Sequence, residues 1–359
     1  MEYALLSLIV LACVYMAMLN GMNDLSGMVA TLIATRAAPV RAAQLIAVLG
    51  LWLGILVGVA AVSRTVATGL ISEDFNHTHG ALALTIWLGA IAGTVAWGTL
   101  ARQLGIPTSA THAFVGSLCG AVLAATAQPG LVHWGWEEFV RNPTDLHGVM
   151  KVVAGLILSP VVGGSLGYLI FRVGAIVLAR ASRGTAARLR GLECLAVFTQ
   201  AFSYGTNDAQ KVMGVLVGAL IAAHFVVYRS TDHSMVFAVP LWVKLLTAVA
   251  ATVGAFIGSG RIIRTMGHGL FHVHPLEALA GQLASAASVY GASLTGAPVS
   301  STQVISSALV GVGGAWRPRH VRWHKVRDIL MTWVFTPPCA GLIGAAVTFV
   351  IALVPGVRS

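Results

Sequence analysis

The sequence predicts an all-α polytopic membrane protein with 10–12 transmembrane segments, some of them broken or re-entrant, arranged as two inverted-topology repeats. Composition, the lengths of the apolar runs and an internal repeat carry that expectation. Of 359 residues, 57% are hydrophobic and only 9% are charged, and the mean hydropathy is +0.83. An ordinary soluble domain has about 25% charged residues, so this chain lacks the polar skin a water-soluble fold needs. A soluble enzyme, a disordered chain and a coiled coil are excluded. The 40 glycines suit close-packed and interrupted membrane helices. Cys13, Cys119, Cys194 and Cys339 lie in apolar runs without CxxC spacing and read as packing residues.

A bilayer core of about 30 Å takes about 20 helical residues. Ten apolar segments stand out, at 4–35, 42–63, 81–101, 107–127, 149–179, 191–225, 237–257, 276–293, 298–316 and 328–354. The first is read as a retained helix, because Met1-Glu2-Tyr3 offers no basic leader region. Segments 4–35, 149–179 and 191–225 are too long for one straight crossing and are expected to tilt, break or fold back. Segments 107–127 and 298–316 open on Pro, which suits a first helical turn; as halves of re-entrant hairpins they would raise the count to twelve.

The formal charge of +10 comes from 22 Lys+Arg against 12 Asp+Glu. In a membrane protein that surplus marks cytoplasmic loops and gives no reason to invoke nucleic acid. Loops 36–41, 180–190, 258–275 and 317–327 hold most of it and fall on one side if each segment crosses once. The loops at 67–80, 128–147 and 226–236 are poor in Lys and Arg. This predicts ten net crossings with both termini outside.

Three blocks recur in the same order. Gly21-Met22-Asn23-Asp24 returns as Gly205-Thr206-Asn207-Asp208. Pro107-Thr108-Ser109-Ala110-Thr111-His112 returns as Pro298-Val299-Ser300-Ser301-Thr302-Gln303. Ser159-Pro160 with its trailing glycines returns as Thr336-Pro337. The expected division is a first repeat over 1–180, a basic cytoplasmic linker at 181–190 and a second repeat over 191–359. Five crossings per half is an odd number, so the second half enters from the opposite side, as in secondary transporters with a midplane site.

The repeated residues suggest a chemistry. An ionised side chain at membrane depth costs about 3 kcal/mol on insertion scales, yet Asp24 and Asp208 sit inside long apolar segments. Each follows a helix-breaking Gly and is read as a carboxylate for a cation or proton; capping of a half-helix is compatible with that role. The Pro-x-Ser-x-Thr blocks begin half-helices whose N–H groups and dipole attract an anion. Hydroxyls of Thr108, Ser109, Thr111, Ser300, Ser301 and Thr302 add neutral donors fit for a tetrahedral oxyanion. Phosphate carries about −1.5 to −2 charges near neutrality, by analogy with its monoesters, so co-bound cations or protons beside the two Asp would remove repulsion and couple the flows. Lys211 stands one turn after Asp208 and pairs with it or faces the anion; Gly27 occupies the matching place in the first half. Gln210 and Ser26 are polar neighbours, and His112 is either a titrating group or a packed polar contact.

Other candidates carry less. His77, His79, His272 and His274 read as loop histidines, and His320 with His324 lacks a third zinc ligand. Glu193 and Glu277 lie near segment ends, with Glu193 either in the substrate path or at the interface. No HExxH, G-x-S-x-G or Walker-type loop appears.

With these residues in view, the chain resembles the inorganic phosphate transporter family of the Pit type. That family's Gly-Ala-Asn-Asp hallmark is matched at 21–24 and 205–208, and the second copy reads AFSYGTNDAQKVMG over 201–214. The blocks at 107–112, 298–303 and 260–267 are also similar to family patterns. The chain departs at Met22, at Leu25-Ser26-Gly27 and at Gln303, where the family has His. The resemblance implies a symporter that imports inorganic phosphate across the cell membrane with Na⁺ or H⁺, without a cofactor and without enzymatic activity. Phosphate would be held by Thr108, Ser109, Ala110, Thr111, Ser300, Ser301 and Thr302. The driving ion would be held by Asn23, Asp24, Asn207 and Asp208, with Na⁺ at Asp24 and Asp208 as the candidate metal. Gln210, Lys211, His112 and Gln303 would support the site. A divalent metal travelling as metal-phosphate and a homo-oligomer in the bilayer are both compatible with it. The alternatives are a sulfate or other oxyanion permease of the same fold and, more distantly, an intramembrane aspartyl enzyme that shares a proton between Asp24 and Asp208.

Overall fold

A computed structural model describes the chain except residues 73–74, 77–79, 105–107, 145, 180–184, 226–227, 232–233, 270–273 and 356–359. Glu73, Asp74, His77, His79, Pro107, Asp145, Arg180, Arg183 and His272 fall among those exceptions.

The first half opens with α1 (Glu2–Asn20), a single π-helical turn at Gly21–Leu25, and α2 (Ser26–Ala34). Segment 4–35 is therefore one continuous span with a wide turn at the Asn-Asp motif. A π turn carries one extra residue and interrupts the regular hydrogen-bond ladder. Helix α3 (Val40–Val57) ends at the extended Gly58, and a short α4 (Ala61–Thr68) follows. The expected segment 42–63 is thus two pieces. Helices α5 (Gly80–Leu104), α6 (Ala110–Thr126), a short α7 (Trp136–Arg141) and α8 (Gly148–Val177) complete this half.

The second half repeats the plan. Segment 191–225 is broken between α9 (Thr185–Gly205) and α10 (Asp208–Ala222), whereas the long segment 149–179 is the single 30-residue helix α8. A small antiparallel hairpin, β1 (Tyr228–Thr231) with β2 (Ser234–Phe237), interrupts the all-α pattern in what reads as a loop. Helix α11 (Leu241–Gly269) continues through most of the expected loop 258–275, so Arg261 and Arg264 lie on a helix. Helices α12 (Pro275–Leu294), α13 (Ser301–Trp316) and α14 (Trp323–Ala352) follow. Among the described residues, six helical stretches are long and apolar enough to cross a bilayer unaided: Glu2–Ala34, Val40–Val57, Gly80–Leu104, Gly148–Val177, Leu241–Gly258 and Trp323–Ala352.

The two halves interlock by exchange. Helix α9 packs on α3, and its counterpart pair is α11 on α1 and the π turn. Helix α13 packs on α8, and the counterpart is α14 on α6. Glycines make these crossings close. A Cβ on Gly54 would lie 2.2 Å from the Phe202 carbonyl oxygen, and one on Gly254 would lie 2.1 Å from that of Met18. Gly58 meets Thr206 as Gly258 meets Met22. Gly120 lies against Gly341, and Gly311 against Gly164. Each contact has its partner at the repeat-equivalent positions, which is what a two-fold relation between inverted halves produces. Small residues let helix backbones approach where lipid supplies no hydrophobic drive between helices.

One large apolar cluster joins both halves, from Leu5 and Ile9 through Trp87 and Phe114 to Val217 and Ala251. Outside it, Leu49, Val57, Ile157, Ile176, Leu342 and Val350 are exposed. An apolar outer surface is a lipid-facing one, and the chain is an integral membrane protein.

Candidate functional site

Each half contributes one interrupted helix and one short helix. The short helices begin in the same way. Ser109 caps α6, its hydroxyl oxygen accepting from the His112 N–H at 3.2 Å; Ser300 caps α13 and accepts from the Gln303 N–H at 3.4 Å. Both serines are buried. Only one N–H of each first turn is taken by the cap, and the remaining ones keep the positive end of the helix available.

The threonines two residues further in tie each short helix to the Asn-Asp turn of the other half. The Thr302 hydroxyl donates to Asp24 Oδ1 at 2.8 Å. At the equivalent place, Thr111 Oγ1 accepts from Lys211 Nζ at 2.5 Å, and Lys211 Nζ also donates to Asp208 Oδ1 at 2.5 Å. Asp24 and Asp208 are near enough for their charges to interact, and both lie within electrostatic reach of Lys211. The Tyr204 hydroxyl, fully buried, sits against the Asp24 carboxyl. Thr111 also donates to Val299 O, which Lys211 Nζ shares, so α6 and the segment that leads into α13 touch beside Lys211.

Asn207 and Asn23 do different work. Asn207 is fully buried and holds the segment that leads into α13. Its amide donates to Ala297 O at 3.0 Å and Ser293 Oγ at 3.2 Å, and its Oδ1 accepts from the Val299 N–H at 3.1 Å. That segment turns at Gly296, whose φ of +69° is strained for a residue with a Cβ. Asn23 is half-buried and accepts from Arg102 Nη1 at 2.8 Å.

Thr108 faces sideways. Its hydroxyl takes the Trp97 indole N–H at 2.9 Å and lies 3.0 Å from Thr336 Oγ1. In the second half Val299 stands in its place, and Ser159, the counterpart of Thr336, has no hydroxyl partner. Gln210 braces α4, accepting from the Ser63 N–H and donating to Val59 O. Ala110 opens α6 as Ser301 opens α13. Among the described residues, Asp208 Oδ2, Ser301 Oγ, Gln303 Oε1, His112 Nδ1 and Ser26 Oγ are buried polar atoms without a protein partner. Buried polar atoms are costly unless satisfied; Ser159, Glu193, Gln200, Thr247, Gln282 and Thr348 each carry such an atom as well. No group of three or more His, Cys, Asp or Glu able to hold a metal occurs among the described residues.

Arg102 and Tyr204, which contact Asn23 and Asp24, are candidate site residues that sequence reasoning misses. Arg102 lies just past the apolar run 81–101, on a helix that continues to Leu104. Tyr204 directly precedes the second motif.

Two inverted halves that share a polar site at their junction are the architecture of secondary transporters. The sequence profile described as the phosphate transporter family matches this chain twice, over residues 20–192 and 179–344. The chain belongs to that family. A Bacillus subtilis (strain 168) protein named as a probable low-affinity inorganic phosphate transporter is 29% identical over 348 residues, covering 97% of each chain. A Mycobacterium bovis protein of the same name is 33% identical over 351 residues, 96% of this chain and 77% of its own. A solved structure titled "The sodium-dependent phosphate transporter" shares the fold, with TM-score 0.83 and 22% identity over 98% of this chain and all of its own. These relatives are all named as transporters.

Proposed function

We propose that this protein is a symporter that carries inorganic phosphate across the cell membrane with Na⁺ or H⁺, by alternating access between its inverted halves. The arrangement that carries the reading is the meeting of two capped helix tips, from opposite halves, at Asp24, Asp208 and Lys211. Partial positive charge and unpaired N–H groups at the tips suit an oxyanion. Ser301, Ser300, Ser109 and the first-turn amides, including that of Ala110, are its donors. Asp24, with Thr302 and Tyr204 around it, is the place for the driving cation. Asn207 positions the tip of α13, and Asn23 links the first turn to Arg102. Neutral Thr108 shapes the wall beside α14, and His112, Gln303 and Gln210 complete the polar lining and its support. No cofactor enters this mechanism.

The pairing of Asp208 with Lys211 speaks against an aspartyl enzyme, which needs two carboxyls sharing one proton. Both termini outside and the basic loops in the cytoplasm follow the charge rule and belong to the same proposal. The test is labelled-phosphate uptake into proteoliposomes, with Na⁺ and pH gradients imposed separately and sulfate as competitor. Uptake driven by one gradient and resistant to sulfate is expected. Sulfate uptake without phosphate uptake would refute the substrate.

A further inference from the structure

We infer that Lys211 is a resident cation: at Asp208 its ammonium occupies the place that a transported cation takes at Asp24, so each phosphate travels with a single coupling cation. This rests on the symport reading above and adds its stoichiometry.

The argument begins with the donors of an ammonium group. Lysine has three N–H bonds at Nζ and no acceptor. Lys211 Nζ reaches Asp208 Oδ1, Thr111 Oγ1 and the Val299 carbonyl oxygen, each at 2.5 Å. All three protons are engaged by the protein, which leaves none to bind phosphate. One carboxylate, one hydroxyl and one carbonyl form an all-oxygen set of the kind that hard cations take. Both side chains of the pair are nearly inaccessible, at 2% for Lys211 and 5% for Asp208.

The equivalent place in the first half has the same carboxylate and hydroxyl and no ammonium. Asp24 stands for Asp208, Thr302 for Thr111 and Gly27 for Lys211. With no ammonium between them, Thr302 closes directly on Asp24 at 2.8 Å, whereas Thr111 turns its own proton to Val299 O at 3.1 Å. As a residue Asp24 is half-buried where Asp208 is buried. Charge counting gives the consequence. The charges that act on Asp24 are those of Asp208 and Lys211, whereas Arg102 bonds to Asn23 and pairs with neither carboxylate; two carboxylates and one ammonium leave a net charge of −1, which one mobile cation cancels. Without Lys211 the same site would need two.

The experiment measures the cation-to-phosphate ratio by reversal potential in proteoliposomes of the full chain, using ³²P-phosphate and Na⁺ or pH gradients. The wild type is expected to give a ratio of one and a hyperbolic cation dependence. Lys211→Met is expected to raise the ratio to two, with a sigmoidal dependence. A wild-type ratio of two, or an unchanged ratio in Lys211→Met, overturns the inference. Should Lys211→Met not fold or transport, the double variant Asp208→Asn/Lys211→Met decides, because it removes the pair without changing the net charge. Folded protein with one-cation coupling supports the resident-cation role, and a double variant as inactive as the single one overturns it. Failure of the symport reading looks different: the wild type then moves no labelled phosphate under either gradient, and both statements fall together.

Discussion

The turn at Gly21–Asp24 and the turn at Gly205–Asp208 share a sequence plan and differ in local structure. The first is a π turn within an unbroken helical path, with a half-buried Asp24 and an Asn23 held from outside by Arg102. The second is a true break, with a fully buried Asn207 gripping the approach to α13 and a buried Asp208–Lys211 pair. One difference accounts for much of the rest. Lys211 brings a buried charge that must be satisfied, and the second turn is built tightly around that demand. The first turn has no such charge and stays more open. The two turns share a sequence plan, and the buried lysine pair is present in one of them.

The largest expected contrast is between the two carboxylates. Asp208→Asn leaves Lys211 buried without its counter-charge, and breaking a buried pair costs about 3–5 kcal/mol. Most folded protein should be lost, as read by thermal unfolding in detergent. Asp24→Asn breaks no ion pair and should keep its unfolding midpoint near the wild type while losing gradient-driven uptake. Equal stability of the two variants would mean that the halves are energetically alike.

The glycine crossings offer the converse case, where the halves should respond equally. Gly54→Ala and Gly254→Ala place a methyl group against Phe202 O and Met18 O at nearly the same approach. Overpacking of this kind costs about 1–3 kcal/mol. Matching drops in unfolding midpoint are expected, and a clear inequality would show that the α3–α9 and α1–α11 crossings are not equivalent.

Much of this plan was legible in the chain itself. The Ser/Thr blocks marked both caps because Ser109 and Ser300 each bond a backbone N–H three positions on, and local bonds follow local sequence; the Asn-Asp turns were marked by their recurrence, while the bonds of Asn207 and Asp24 run to residues far along the chain. Length alone did not place the break in 191–225, because Gly148–Val177 runs unbroken over 30 residues. Less legible were features that depend on a partner distant in sequence. Thr108 has the credentials of a site hydroxyl, yet Trp97 and Thr336 claim it. Lys211 left two readings open until Thr111 and Val299, 100 and 88 positions away, supplied its remaining acceptors. The end of α3 at Gly58 was hidden because Gly is common inside these helices, and only the contact with Thr206 distinguishes this one. Basic residues at 261 and 264 suggested a loop, while α11 carries them on a helical extension.

The smallest contrast concerns the caps. Ser109 and Ser300 each accept one backbone N–H, at 3.2 and 3.4 Å, and each is buried at a helix tip. Replacing a cap by Ala costs about 0.5–2 kcal/mol. Ser109→Ala and Ser300→Ala should therefore both fold, with modestly lowered midpoints. Their effects on phosphate should separate. The α6 tip is fastened by Thr111 to the Lys211 ammonium, which keeps its place whether or not a cation is bound. The α13 tip is fastened by Thr302 to Asp24, whose charge the mobile cation alters. Loss of the Ser300 cap should raise the phosphate half-saturation and make it more sensitive to cation concentration; loss of the Ser109 cap should raise it without that added sensitivity. Uptake titrated with phosphate at several cation concentrations reads both. Identical responses would mean that the two tips meet the anion in the same way, and the specialisation would then be confined to the carboxylates.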